Sequence, residues 1–400
     1  HGHEDHIGAL PYVLPHAPAP VYGTRFTLRL ISDRVAQLPP SIRRDCPLNE
    51  LVPGRTLELP GGIPCTPVAV THSIPQSLAL VMDFPAGAVV HTGDFKLAPA
   101  APWNHDFART GESATDPAGE IRRCLHKENP FLLLSDSTGA CTPLDSPAEE
   151  TLSPSIEELM ERTRGRLFVT LFSSHIERVR HFLRIGAKFG RRAAAVGRSM
   201  ERYLEAARSE NLLPEPNLTT PADVCALPPE HQMFFIAGSQ GETASAMDRF
   251  SAENHPLVQP QPSDTVVFSA SVIPGRERFV GRILDRLAAA GIQALWHTEE
   301  TPTHVSGHGS RAELHRLFSV LQPKTVIPVH GSMRYLAAAR DVAAGAGAQE
   351  TLIVPDGHRA TWNGISWNLE KWPIDAVLRL ENPAGTPLGE ESLRWRRKNA

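Results

Sequence analysis

Apolar and polar positions follow two different textures along this chain. Up to about residue 143 the apolar residues come in short runs broken by turn formers, such as Leu78–Phe84 and residues 88–91, parted by Pro85-Ala86-Gly87. That pattern predicts short paired strands and tight turns. Residues 143–154 are rich in Pro, Ser, Asp and Glu, and past them apolar runs at 167–172 and 233–237 alternate with segments of helical period. The change places a domain boundary there, with α/β structure beyond it. Ser174-x-x-Glu177 reads as a capping box before a helix whose Ile176, Val179 and Leu183 share one face. Ser310-x-x-Glu313 reads as another, leading to a strand at Thr325–Val329. Residues 214–220 and 256–262 are Pro-rich connectors, and the polar stretch after Asn382, with 394–398 at its end, reads as solvated or disordered.

Length changes this picture first: 400 residues exceed what one hydrophobic core supports, so two domains are expected, or one domain with a large insertion. No apolar run approaches the roughly 18 to 20 residues of a membrane helix. The formal charge of −4 decides little, because an acidic protein can still carry local basic stripes that grip phosphates. Cys46, Cys65, Cys124, Cys141 and Cys225 are odd in number and never form a CxxC pair, which argues against a disulfide framework or a thiolate zinc site and for a reducing cytoplasm. The start shows no signal-peptide pattern, and opening on HGHEDH without Met it reads as a fragment.

The candidate chemistry begins at residue 1. His1-Gly2-His3-Glu4-Asp5-His6 packs three imidazoles and a carboxylate into six residues, so a tight loop at a strand end can aim all four at two adjacent cations. Zinc takes neutral imidazole and carboxylate readily, and two neighbouring cations need a bridging carboxylate besides terminal ligands. His72, Asp94 and His330 each follow an apolar stretch. Singly, a histidine there is more often a core or turn residue and a Gly-Asp merely a turn. In the order HxHxDH, His, Asp, His they supply seven ligands, the count that two metals sharing one carboxylate require.

HGHEDH, Thr71-His72, Thr92-Gly93-Asp94 and Val329-His330 together resemble the metallo-β-lactamase fold. The resemblance implies that His1, His3 and His72 hold one zinc, that Asp5, His6 and His330 hold the other, and that Asp94 bridges them. Two further strings narrow it. Leu132-Leu133-Leu134-Ser135-Asp136-Ser137-Thr138 ends an apolar strand in a carboxylate, and His304-Val305-Ser306-Gly307-His308-Gly309-Ser310 opens a helix about 170 residues later. An α/β insertion between them is similar to that of the β-CASP nucleases, with Asp136, His308 and His330 matching that group's extra motifs. The wording is most similar to the ribonuclease J family in HGHEDHIGALPY, SDST, the Ala237-Gly238-Ser239-Gln240-Gly241-Glu242 string, residues 269–277 (SASVIPGRE) and HVSGH.

This resemblance implies an α/β chain: an αββα metallo-β-lactamase sandwich over 1–160 and 301–365, a β-CASP insertion over 161–300 and a C-terminal extension over 366–400, with the N-terminal strands of the sandwich missing. It implies a cytoplasmic ribonuclease of RNA maturation and decay, with two Zn2+ (Mn2+ or Mg2+ the alternatives). Such an enzyme hydrolyses RNA phosphodiester bonds as a 5′-to-3′ exonuclease, an endonuclease or both, leaving a 5′-phosphate and a 3′-hydroxyl. The implied substrate is single-stranded RNA with a 5′-monophosphate, no membrane is involved, and the assembly is a homodimer or homotetramer. Asp94, His308 and His330 would be catalytic, His308 assisting the leaving group, while Asp136 orients a metal-bound imidazole. Ser306, Gly307, His308, Ser239 and Gln240 would contact phosphate. Ser332 stands where the family has an acidic residue, and Arg276 where it has Asn.

Basic stripes, Arg180/Arg184/Lys188 on one helix and Arg278/Arg282/Arg286 on another, would track an RNA backbone if they line the cleft between domains; such stripes are more often solvated faces. Phe172, Phe189 and Trp296 read as core. Two other readings stand beside the ribonuclease: a hydrolase of the same fold acting on DNA or a small ester, and a catalytically silent RNA-binding paralogue.

Overall fold

The computed structural model describes residues 1–98, 116–125, 131–213, 215–273, 275–298 and 302–372. The polar tail after Asn382, and with it nearly all of the 366–400 extension, lies outside the described residues. Two sheets organise the chain. The first has seven strands in the spatial order 350–351, 325–329, 132–136, 87–91, 78–84, 63–69 and 57–59. Its first four strands run parallel and the remaining pairs antiparallel. Register sets which strand ends share an edge. Val329 pairs Asp136, His91 pairs Leu134 and Leu80, and Ala69 pairs Leu78, so strands 63–69, 87–91, 132–136 and 325–329 all end on one edge. Chain leaving those four ends carries His72, Asp94, Thr138 and His330.

The second sheet is built entirely between residues 167 and 295, with six parallel strands in the order 218–219, 192–196, 232–236, 167–170, 265–268 and 293–295. Its central strands are buried on both faces, as continuous apolar runs in a helix-covered parallel sheet require. The run at 167–172 pairs only as Leu167–Thr170, and that at 233–237 as Gln232–Ile236, since apolarity marks the segment but not its last ladder bond. The two halves are not separate in their cores. Ile7, Phe26, Leu30, Ile31 and Ile74 join the same apolar cluster as the parallel sheet and its helices, while helices Arg311–Leu321 and Met333–Gly345 close the seven-stranded sheet.

Both expected helix starts exist, and one is shifted. Ser310 caps Arg311–Leu321 with a complete capping box to Glu313. The other helix, Ile176–Lys188, is capped by His175 rather than Ser174: its Nδ1 accepts the Arg178 amide at 3.3 Å. Glu177, second in this helix, is buried. On this helix His181 is also buried, its Nε2 2.8 Å from Ser153 Oγ, and burial pushes its imidazole down to about 4. A folded-state value below the unfolded one means that the unfolded chain binds the extra proton, so this contribution is complete above about pH 6.5 and is lost as pH falls toward 4. Urea unfolding is expected to show the protein losing about 2 kcal/mol relative to His181→Gln between about pH 7.5 and about pH 5. A constant difference between the two would contradict the assignment.

Candidate metal centre

The first six residues are extended up to His3, which is the N-cap of a single helical turn, Glu4–Ile7. Ile7 drops into the shared core, and Glu4, outside the cluster, accepts from Arg34 at 2.6 and 3.0 Å. From the other side Tyr203, on helix Arg198–Ser209 of the parallel-sheet half, donates to the Gly2 carbonyl at 3.1 Å. The loop is thus gripped by both halves while His1, His3, Asp5 and His6 turn the other way.

Asp94 is the centre of the arrangement. Its Oδ2 lies 3.2 Å from His6 Nε2, 3.4 Å from His1 Nε2, 3.6 Å from His330 Nε2 and 3.7 Å from His72 Nε2. The turn delivering it needs Gly93, at φ +58°, where any Cβ would sit 2.4 Å from the Leu78 carbonyl oxygen. His1, His3, His72 and Asp94 offer ligand atoms within 4.8 Å of one another, and so do Asp5, His6 and His330. The structure therefore brings all seven sequence-predicted residues into one cluster. His330 reaches it from an unusual backbone, φ +54°, held by Ser137 and Thr138 hydroxyls that donate to its carbonyl at 2.9 and 3.2 Å.

Whether a cation fits can be judged from the polar atoms. His1 Nε2 is buried and makes no hydrogen bond. The Gly307 carbonyl accepts from His72 Nδ1 at 2.6 Å, which leaves the His72 Nε2 lone pair facing His3 Nδ1 at 3.1 Å and Asp94. Burial pushes the His3 imidazole down to about 3 and holds that of His72 well below its usual range. Neutral imidazoles at His3 and His72, together with a buried His1 nitrogen that makes no hydrogen bond, crowd around a buried carboxylate and have the donor chemistry of a divalent zinc-type site. Gly307 matters as a close approach, because a Cβ there would lie 2.8 Å from Ser73 Cβ and 3.0 Å from His72 Nδ1. Gly307→Ala is expected to turn His72 and weaken metal binding about 10- to 100-fold in a chelator competition, whereas unchanged affinity would free His72 of this carbonyl.

His308 lies beside this cluster and outside the seven. Its Nδ1 donates to Asp136 Oδ2 at 2.8 Å, its ring is 4.8 Å from that of His72 and stacks on His330 at 5.6 Å, and its side chain is 22% exposed. Burial works against a proton on His308, yet the adjoining Asp136 carboxylate outweighs it and raises the imidazole above its ordinary value. Asp136 also lies 3.6 Å from His330 Nδ1, so it serves both rings. Its own Oδ1 is held by the Thr138 amide at 2.9 Å, and Thr138 Oγ1 accepts from His330 Nδ1 at 2.8 Å. The Asp136 and Asp5 carboxylates, facing its two ring nitrogens as acceptors, raise His330 to about 10 in the absence of a cation.

Other predicted contacts fall differently. Ser306 and Gly307 reach the cluster, but their polar atoms build the loop: the Ser306 carbonyl accepts from Lys96 Nζ at 3.1 Å and its Oγ from the His308 amide at 3.1 Å. Ser239 and Gln240 are buried in a loop of the parallel-sheet half, where the Gln240 amide ties Ser271 O at 3.0 Å and Ile273 N at 2.8 Å. Much of the basic stripes is spent on ion pairs, Arg180 with Glu215, Lys188 with Glu157, and Arg282 and Arg286 with Asp248. Of the expected core aromatics, Phe189 and Trp296 pack against the core cluster. Sequence reasoning passed over Thr138, Lys96, Glu313, Tyr203 and Arg178. Glu313 was visible only as a capping residue; its buried carboxylate also takes the amides of Leu97 at 2.6 Å and Ser146 at 2.9 Å.

Comparison with known proteins covers most of the chain. Residues 1–155 match the metallo-beta-lactamase superfamily, 164–287 the family described as Ribonuclease J, beta-CASP domain, and 300–355 the Zn-dependent metallo-hydrolase RNA specificity domain. Ribonuclease J of Thermus thermophilus is 35% identical over 347 residues, 84% of this chain and 57% of that protein. Ribonuclease J of Mycobacterium tuberculosis is 33% identical over 373 residues, 92% and 63%; that of Helicobacter pylori is 32% identical over 357 residues, 88% and 49%. The chain thus spans between about half and 63% of the length of these relatives. Among solved structures, a protein of unknown function from Enterococcus faecalis V583 superposes with a TM-score of 0.53 at 15% identity, covering 83% of this chain and 73% of that one, a likeness of fold alone. Among the described residues no helix is long and apolar enough to cross a membrane.

Proposed function

Starting from the fact that the chain belongs to the ribonuclease J family, we propose that it hydrolyses RNA phosphodiester bonds at the Asp94-centred cluster. The observation that carries this reading is the pairing of seven convergent ligand groups with an adjoining histidine, His308, which converges on Asp94 and His330 and is made more basic by its buried Asp136. His1, His3 and His72 would hold one divalent cation, Asp5, His6 and His330 the other, with Asp94 between them. The all-nitrogen and oxygen donor set suits zinc, with manganese or magnesium as the alternatives. When bound, the cations supply Lewis acidity toward the phosphoryl oxygens and a more acidic water.

The protein's own groups do the rest. The Gly307 carbonyl and Asp136 fix the orientation of the His72 and His308 rings, so neither must reorganise as charge develops. His308, tied through Nδ1, has Nε2 left to give a proton to the departing 3′-oxygen, which yields a 3′-hydroxyl and a 5′-phosphate. We assign residues 1–160 and 301–365 to the catalytic domain and 161–300 to the insertion. Single-stranded RNA bearing a 5′-monophosphate is the substrate class, with internal cleavage read in the same assay. In the full-length protein, metal analysis is expected to find two ions per chain, and 5′-monophosphorylated RNA to be cut while matched DNA is spared. Protein without metal and without cleavage would overturn the proposal, and cleavage of DNA alone would replace it with a DNA hydrolase of the same fold.

A further inference from the structure

The segment that carries His308 is held by buried charges from three directions. Lys96 Nζ donates to the carbonyls of Ser306 and Pro147, both at 3.1 Å. Glu313 takes the Ser310 amide at 2.9 Å, Ser146 Oγ donates to the His308 carbonyl at 2.7 Å, and the Gly309 amide donates to Phe95 O at 2.6 Å. Those groups all belong to the seven-stranded half. Arg178 does not: it sits on helix Ile176–Lys188 of the parallel-sheet half, with none of its surface exposed.

Its guanidinium is spent in full. Nε and Nη2 donate to Glu149 at 2.5 and 2.9 Å, Nη1 donates to Ser269 Oγ at 2.8 Å and Thr303 O at 3.1 Å, and Nη2 also reaches Val305 O at 3.3 Å. Glu149 is itself part of a 3-10 turn, Glu149–Leu152, on the chain passing from one sheet to the other. Ser269 follows the strand Thr265–Phe268. One side chain therefore joins the crossing segment, the end of a parallel strand and the carbonyls three and five residues before His308. An ion pair alone would need only Glu149; the planar fork and its further donors are what reach the His308 segment.

We propose that Arg178, with Glu149 as its counterion, is a positioning residue for His308: it fixes the carbonyls of Thr303 and Val305 and so sets how far His308 extends toward the histidine cluster. The seating of the parallel-sheet half is in this way coupled to the chemistry. The proposal rests on the reading of His308 as proton donor. Arg178 touches none of the seven ligand residues, and the Gly307 carbonyl keeps its own bond to His72 Nδ1, so the loss of Arg178 should act on turnover and leave metal in place.

Arg178→Met alone strands a buried carboxylate and can fail to fold, so the test uses Arg178→Lys together with the charge-free double variant Glu149→Gln/Arg178→Met in the full-length protein. Both are expected to keep the wild-type metal content and a KM within about twofold for 5′-monophosphorylated RNA, while kcat falls about 10- to 100-fold. Amide hydrogen exchange at residues 305–309 is expected to quicken about tenfold or more, with the strand Leu167–Thr170 as protected as before. Unchanged exchange at 305–309 overturns the proposal. So does exchange that quickens in the strand as well, with metal lost and KM rising alongside kcat, because that is the signature of a residue that merely supports the fold. If the wild-type protein cuts no RNA, the ribonuclease reading falls, and the exchange contrast still decides for or against Arg178.

Discussion

Asp94→Asn is expected to leave the fold intact and to lower RNA cleavage by about 10,000-fold, equivalent to about 5.4 kcal/mol of transition-state stabilisation. The substitution is isosteric, so the turn at Gly93 and the strand before it have no reason to move. What changes is charge and donor direction. Four imidazole nitrogens lie within 3.7 Å of one carboxylate oxygen, and an amide there offers a neutral oxygen at best, or an N–H pointed at groups that must themselves donate lone pairs. Two cations held close together without the shared negative charge would repel, so metal analysis should fall to one ion per chain or none. The pair of measurements is decisive: a variant that keeps two ions and cuts at more than about a tenth of the wild-type rate would show that Asp94 is not the bridge.

His308→Ala is expected to lower kcat by about 100- to 10,000-fold, the range for removing a general acid, with both ions retained. His308 is the ring that Asp136 makes more basic, and its Nδ1 is already given to that carboxylate. The diagnostic arm is an RNA with sulfur in place of the bridging 3′-oxygen at the cleavage site. A thiolate leaves without needing a proton, so the variant should cut this substrate within about tenfold of the wild type. An equal defect on both substrates would assign His308 to phosphate binding instead of proton transfer. Asp136→Asn should reproduce part of the effect, since the amide no longer favours the protonated ring.

A good part of the site was legible because metal ligation leaves a dense local record. HGHEDH carries four of the seven groups within six residues, and no requirement of core or loop would place those residue types at that spacing. His72, Asp94 and His330 were recoverable as strand-end residues because each closes an apolar run. The helix start at Ser310 was readable for the same local reason, a cap three residues from its partner. The start at 174–177 was misread by one position, since a histidine ring can accept the amide three residues on just as a serine hydroxyl can, and nothing in the local pattern ranks the two.

What the linear order could not carry are groups whose partners lie far off in sequence. Arg178 meets Glu149, Ser269, Thr303 and Val305, and read locally it is one more basic residue beside Arg180. Lys96 looks like a surface lysine until the fold buries it between two carbonyls. Gln240 in its glycine-rich loop resembles an anion contact until its amide is found tying two backbone groups.

The sequence by itself thus determined the candidate ligand groups, the α/β texture and the family, because these depend on residue type and short spacing. The tertiary structure alone decided which strand ends share an edge, which oxygen of Asp94 faces all four rings, and which buried charges hold the His308 segment. Those depend on sheet register and on pairings up to 325 residues apart, such as His330 with Asp5. The physical reason is that a buried charge or an unpaired carbonyl must find its partner in space, and any part of the chain that the fold brings near can supply it.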